Sequence, residues 1–112
     1  MTAEAWVEVT TTAQLARERK RVVRAGDVDV VVIWHDGAPY ALANRCVHKD
    51  RELARGTVFS GRIVCPGHQW AFDLDTGWCR EKEEHQPVYR VKVEGDVVYV
   101  DASSAAEVPD PA

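Results

Sequence analysis

Two short stretches hold the residues most able to do chemistry: Cys46-Val47-His48 and Cys65-Pro66-Gly67-His68. Each pairs one thiol with one imidazole, and sixteen residues separate His48 from Cys65. Thiolate sulfur and imidazole nitrogen both bind zinc and iron well. A structural zinc finger usually gathers cysteines in one pair and histidines in the other. Here each pair is mixed. Mixed pairs on two loops suit a binuclear centre, with Cys46 and Cys65 on one metal and His48 and His68 on the other. Ordinary core cysteines and histidines are the alternative for any single residue, and a zinc site is the alternative for all four. Two mixed pairs at this spacing favour the binuclear centre over both.

The elements around these pairs read as short strands. Trp6-Val7-Glu8-Val9 alternates, and Val28 to Trp34 is rich in valine and isoleucine, which favours β structure. Thr11 to Lys20 forms a short helix or a turn-rich loop around Leu15, and Arg21 to Arg24 returns as a strand. Asp36-Gly37 marks a hairpin into Tyr40 to Ala43. The first Cys/His loop follows, with Leu53 as its buried anchor. Gly56 to Ser60 and Arg62 to Val64 flank the turn Ser60-Gly61 and lead into the second loop. Trp70 to Leu74 and Trp78 to Arg80 flank Asp75-Thr76-Gly77. Val88 to Val93 and Val97 to Val100 flank Glu94-Gly95-Asp96. Many short strands with glycine turns predict an all-β sandwich or barrel. A hairpin between the two metal loops makes them a tip.

Longer stretches carry a family resemblance. Cys65-Pro66-Gly67-His68-Gln69-Trp70-Ala71-Phe72-Asp73-Leu74-Asp75-Thr76-Gly77 resembles the second cluster loop and following hairpin of Rieske-type ferredoxins. Tyr40-Ala41-Leu42-Ala43-Asn44-Arg45-Cys46 resembles the approach to their first loop, and Pro87 to Asp96 resembles their closing segment. The resemblance runs from about Trp6 to Asp101. It implies one [2Fe–2S] cluster per chain, with two histidines replacing two cysteines on one iron. The implied ligands are Cys46, His48, Cys65 and His68. The implied fold is a small cluster-binding subdomain, formed by two loops, on a larger β base. The implied role is a single-electron carrier, not an enzyme, working between a flavoprotein reductase and a terminal oxygenase. A small Rieske subunit of a larger enzyme, such as an NAD(P)H-dependent nitrite reductase, is the alternative. A zinc-binding structural module is the third possibility.

The ligand set fixes the charge of such a cluster. Two ferric ions, two sulfides, two thiolates and two neutral imidazoles sum to zero, so reduction leaves one negative charge. An all-cysteine site is two units more negative in each state and harder to reduce. Rieske centres accordingly span about −150 to +300 mV, against about −400 mV for plant-type ferredoxins. Quinol-oxidising members of the resembled family add a disulfide between the loops and two hydroxyls bonded to cluster sulfurs. This chain has Gly67, Trp70 and Phe72 at the matching places. Without those donors the reduced state is less stabilised, so the low end of the range is expected. The potential should also fall with pH once the oxidised site begins to lose imidazole protons.

The chain has 112 residues, enough for one small domain. Residues 1–104 are expected to form it, with 105–112 as a disordered tail. No apolar run approaches a membrane span, and Met1-Thr2-Ala3-Glu4 is no signal peptide. A cytoplasmic protein away from membranes is expected. A net charge of −4 is too modest to imply a nucleic-acid partner. The charges are unevenly placed: Arg17, Arg19, Lys20, Arg21 and Arg24 form a basic run, and Glu81 to Glu84 a mostly acidic one. Arg45, Lys49, Arg51 and Arg55 lie in or beside the first loop and could steer an acidic redox partner. The third cysteine, Cys79, reads as a small apolar strand residue. His35 and His85 lack ligand spacing and read as surface residues. No P-loop, G-x-S-x-G or dinucleotide glycine pattern is present.

Overall fold

The structure, a computed structural model, describes residues 6–25, 28–44, 52–65, 70–79 and 83–101. Short strands dominate. In chain order they are β1 (Trp6–Thr11), β2 (Lys20–Ala25), β3 (Val28–His35), β4 (Ala38–Ala43), β5 (Thr57–Phe59), β6 (Arg62–Val64), β7 (Ala71–Asp73), β8 (Trp78–Cys79), β9 (Glu84–His85), β10 (Val88–Tyr89), β11 (Val91–Glu94) and β12 (Val97–Asp101). One helix, α1 (Thr12–Glu18), bridges β1 and β2. The Thr11 hydroxyl accepts from the Gln14 backbone N–H at 3.1 Å and caps it. Leu15 pins α1 to the core. The expected tail at 105–112 lies outside the described residues.

The strands form three open antiparallel sheets, ordered β1-β12-β11, β10-β4-β3-β2 and β5-β6-β7-β8-β9. The second lies between the other two, and β3 shows why. Its run Val30-Val31-Val32-Ile33 is fully buried. Alternate strand residues point to opposite faces. Val31 and Ile33 enter one core with Leu42, Leu53, Ile63, Cys65, Phe72, Leu74 and Cys79. Val30 and Val32 enter the other, with Val9, Leu15, Ala41, Val98 and Val100. A stretch covered on both faces is apolar throughout, as β3 is from Val30 to Ile33. The five-stranded sheet thus stands as a small lobe on the base made by the other two.

The hairpin turns follow the sequence. Asp36 and Gly37 both take positive φ, 53° and 80°, as do Ser60 and Gly61, 54° and 77°. Two successive positive-φ residues make the turn whose twist matches the flanking strands. Two expectations need correction. Val88 to Val93 is not one strand. Val88 pairs with Leu42 and Tyr89 with Ala41 in the central sheet, whereas Val91 pairs with Val100 in the outer one. The chain changes sheets at Arg90, so an apolar run that looks continuous serves two layers. His85 is not a simple surface residue. It lies in β9, half-buried, with Nδ1 3.0 Å from the Thr76 carbonyl oxygen and its ring 4.9 Å from that of Trp78. Among the described residues, no helix is long and apolar enough to cross a membrane.

Candidate metal centre

The roots of both Cys/His loops are described, and so is one of the four expected ligands. Cys65 follows β6 directly and is buried in the lobe core beside Leu53, Ile63 and Phe72. Cys46, His48 and His68 lie outside the described residues, as do Arg45, Lys49 and Arg51. Arg55 is well exposed, 3.8 Å from the carboxylate of Glu52, an ion pair too solvated to hold it firmly.

Asn44, directly after β4, fixes the first root. Its backbone oxygen accepts from the Leu53 N–H at 2.6 Å, and its side-chain Oδ1 accepts from the Ala54 N–H at 2.9 Å. Its own N–H donates to the Asp29 carbonyl at 2.9 Å. Segment 45–52 therefore leaves and returns at one buried side chain. Ala43 is gripped in turn: its N–H donates to Pro87 O at 2.9 Å, and Gln86 Nε2 donates to its carbonyl at 2.7 Å. Gln86 is fully buried.

The second root is closed by the Cys65 N–H, which donates to the Trp70 carbonyl at 2.7 Å. Segment 66–69 leaves and returns there. Trp70, half-buried, and Phe72, fully buried, pack in the lobe core. At both positions an aromatic ring without a hydroxyl fills the space.

Gly56 brings the two roots together. It ends the 3-10 turn Leu53–Arg55, its N–H donating to the Leu53 carbonyl at 2.8 Å. A Cβ at Gly56 would fall 2.0 Å from the carbonyl oxygen of Val64, the residue before Cys65. The returning limb of the first loop thus lies against the strand that delivers the second.

This arrangement fits a metal cluster. A thiolate buried among apolar side chains needs a cation to neutralise it. Cys65 is buried among apolar side chains, where a metal would neutralise it as a ligating thiolate, and the two loop roots lie side by side. Cys79 lies in the same core, opposite Phe72 across the β7–β8 pair. Asn44, Gln86 and Gly56 were not singled out by the sequence. An Asn between a strand and a ligand loop is a usable signal, because its side chain bonds local backbone readily. Gln86 and Gly56 offer none.

Asn44→Ala should leave the half-buried Ala54 N–H without its acceptor. A loss of about 1–3 kcal/mol of stability is expected, read by urea unfolding. A midpoint equal to that of the parent would show that Asn44 does not hold the loop.

Comparisons with known proteins agree with this architecture. The family model described as Rieske [2Fe–2S] domain matches residues 5–101. The ferredoxin component of a naphthalene 1,2-dioxygenase system from Pseudomonas aeruginosa is 28% identical over 102 residues, covering 89% of this chain and 98% of that protein. The ferredoxin of carbazole 1,9a-dioxygenase from Nocardioides aromaticivorans IC177 superposes with a TM-score of 0.80 at 28% identity, covering 87% of this chain and 97% of that one. A protein assigned as an NADH-dependent nitrite reductase small subunit from Mycobacterium tuberculosis superposes with a TM-score of 0.81, covering 88% of this chain and 96% of that one, at 23% identity. That last likeness shows the fold alone. Other curated relatives are far longer: this chain spans 16% of one and 14% of another.

Proposed function

Because the chain belongs to the Rieske [2Fe–2S] domain family, we propose that it is a cytoplasmic single-electron carrier. It would receive electrons from a flavoprotein reductase and deliver them to a terminal oxygenase, and would catalyse no reaction itself. The family's cofactor is a [2Fe–2S] cluster. We propose Cys46 and Cys65 as ligands to one iron, His48 and His68 as ligands to the other, and residues 1–104 as the domain that holds them. When bound, such a cluster takes up and releases one electron at a time.

The observation that carries this reading is the convergence of the two loop roots. Asn44 fixes one, the Cys65–Trp70 hydrogen bond fixes the other, and the close approach of Gly56 to Val64 joins them. A carrier works best when its centre changes little between oxidation states, and roots fixed by a packed lobe favour that. The similarity to dioxygenase ferredoxin components along nearly their whole length supports the oxygenase as acceptor. The alternative, a fixed small subunit of a nitrite reductase, draws on the shared fold. A permanent subunit would co-purify with its large partner, whereas a carrier would purify alone.

The test is the reduction potential of anaerobically purified protein, measured by voltammetry across pH. A wave at the low end of the Rieske range, falling only at alkaline pH, is the expected result. A potential well above about 0 mV would overturn the low-potential assignment, since that half of the range needs further donors to the cluster. A colourless, zinc-containing protein with no wave would overturn the carrier itself.

A further inference from the structure

Of the basic run at 17–24, Arg21 and Arg24 meet carboxylates, at 3.0 Å from Glu18 and 3.3 Å from Asp29. Lys20 does something else. It opens β2 opposite Ile33, so its side chain leaves the central sheet on the face that packs against the lobe. There its ammonium donates to the carbonyl of Gly56, thirty-six residues further on. Among the described residues, no carboxylate pairs with it. Lys20 is half-buried, and desolvation lowers its pKa from the ordinary lysine value. Its charge is therefore less screened than those of its neighbours.

The acceptor's position gives this contact meaning. Gly56 ends the turn that returns the first loop, and its backbone abuts Val64, next to Cys65. One cation from the base thus reaches the peptide where both loop roots meet. We infer that Lys20 tunes the redox centre by its charge: it holds a positive charge at the junction of the two roots and so favours the state that carries the extra electron. This rests on the carrier reading above. The sign follows from charge. Reduction adds one electron, and a nearby fixed cation stabilises the more negative state and raises the potential. A solvated surface lysine would contribute little.

The experiment compares the midpoint potentials of wild type, Lys20→Arg, Lys20→Met and Lys20→Gln, each with its visible spectrum and melting temperature. The wild-type spectrum and potential decide the carrier reading first, independently of Lys20. Both neutral variants should then show a downward shift, which Lys20→Arg should not. The two neutral variants differ in hydrogen bonding, so a shared shift belongs to the charge and not to the tether. A neutral variant that holds its cluster at the wild-type potential would overturn the inference. So would a downward shift in Lys20→Arg as large as in the neutral variants, since the charge is kept there.

Discussion

A double variant, His48→Cys with His68→Cys, should lose the Rieske spectrum and shift its potential down toward the all-cysteine value of about −400 mV. Each exchange replaces a neutral imidazole by a thiolate and makes the cluster one unit more negative in both oxidation states. Adding an electron should then become harder by a large electrostatic increment, because Cys65 lies in a dry core and not in water. The single variants should fall between wild type and the double variant. Cys65 is the part of this assignment with a described position, buried at the end of β6. Voltammetry and electron paramagnetic resonance on the reduced protein read the outcome. An unchanged potential and spectrum in the double variant would show that His48 and His68 are not ligands.

Gly56→Ala should be the most damaging substitution at a described residue in the two roots. The backbone there is ordinary, φ −81° and ψ −177°, so glycine is not needed for conformational freedom. It is needed for room. A methyl group would sit 2.0 Å from Val64 O, 3.1 Å from Val64 C and 3.2 Å from Leu53 O. All three are backbone atoms, and none can rotate away. Forcing this contact should cost about 3 kcal/mol, the upper end of ordinary overpacking. The strain should also push the returning limb of the first loop away from β6, so cluster content should drop along with stability. Iron per chain and urea unfolding, measured together, test both parts. A stable variant with full iron would show that the roots need not touch.

Much of this was legible in the sequence because the relevant signals are local. Asp36-Gly37 and Ser60-Gly61 specify turns within two residues, and the valine run of β3 announces a strand. Around Leu15 the sequence leaves a short helix or a turn-rich loop open, and the Thr11 cap makes it a helix. What escaped was set by partners distant in the chain. The break at Arg90 exists because Tyr89 pairs back to Ala41 while Val91 pairs forward to Val100. No local pattern marks that change of sheet. His85 looked solvated in a run of charges, but the Thr76 carbonyl and the Trp78 ring give it a place. Gly56 and Lys20 acquire roles only once β2 and the lobe are side by side. At the centre itself the spacing of two mixed pairs points to four candidate ligands, of which Cys65 has a described position, whereas the residues that hold the roots are ordinary types with long-range partners.

The double duty of β3 bears on how the molecule comes apart. Its alternate side chains complete two separate cores, so neither core can melt without stripping one face of the same strand. The base and the lobe should therefore unfold as one cooperative unit, without a surviving half. Backbone amides of β3 should be the slowest in the chain to exchange with deuterium, at a rate set by global opening. For the proposed carrier, which would meet two partners in turn, this leaves few partly opened forms in which the lobe hangs loose from its base.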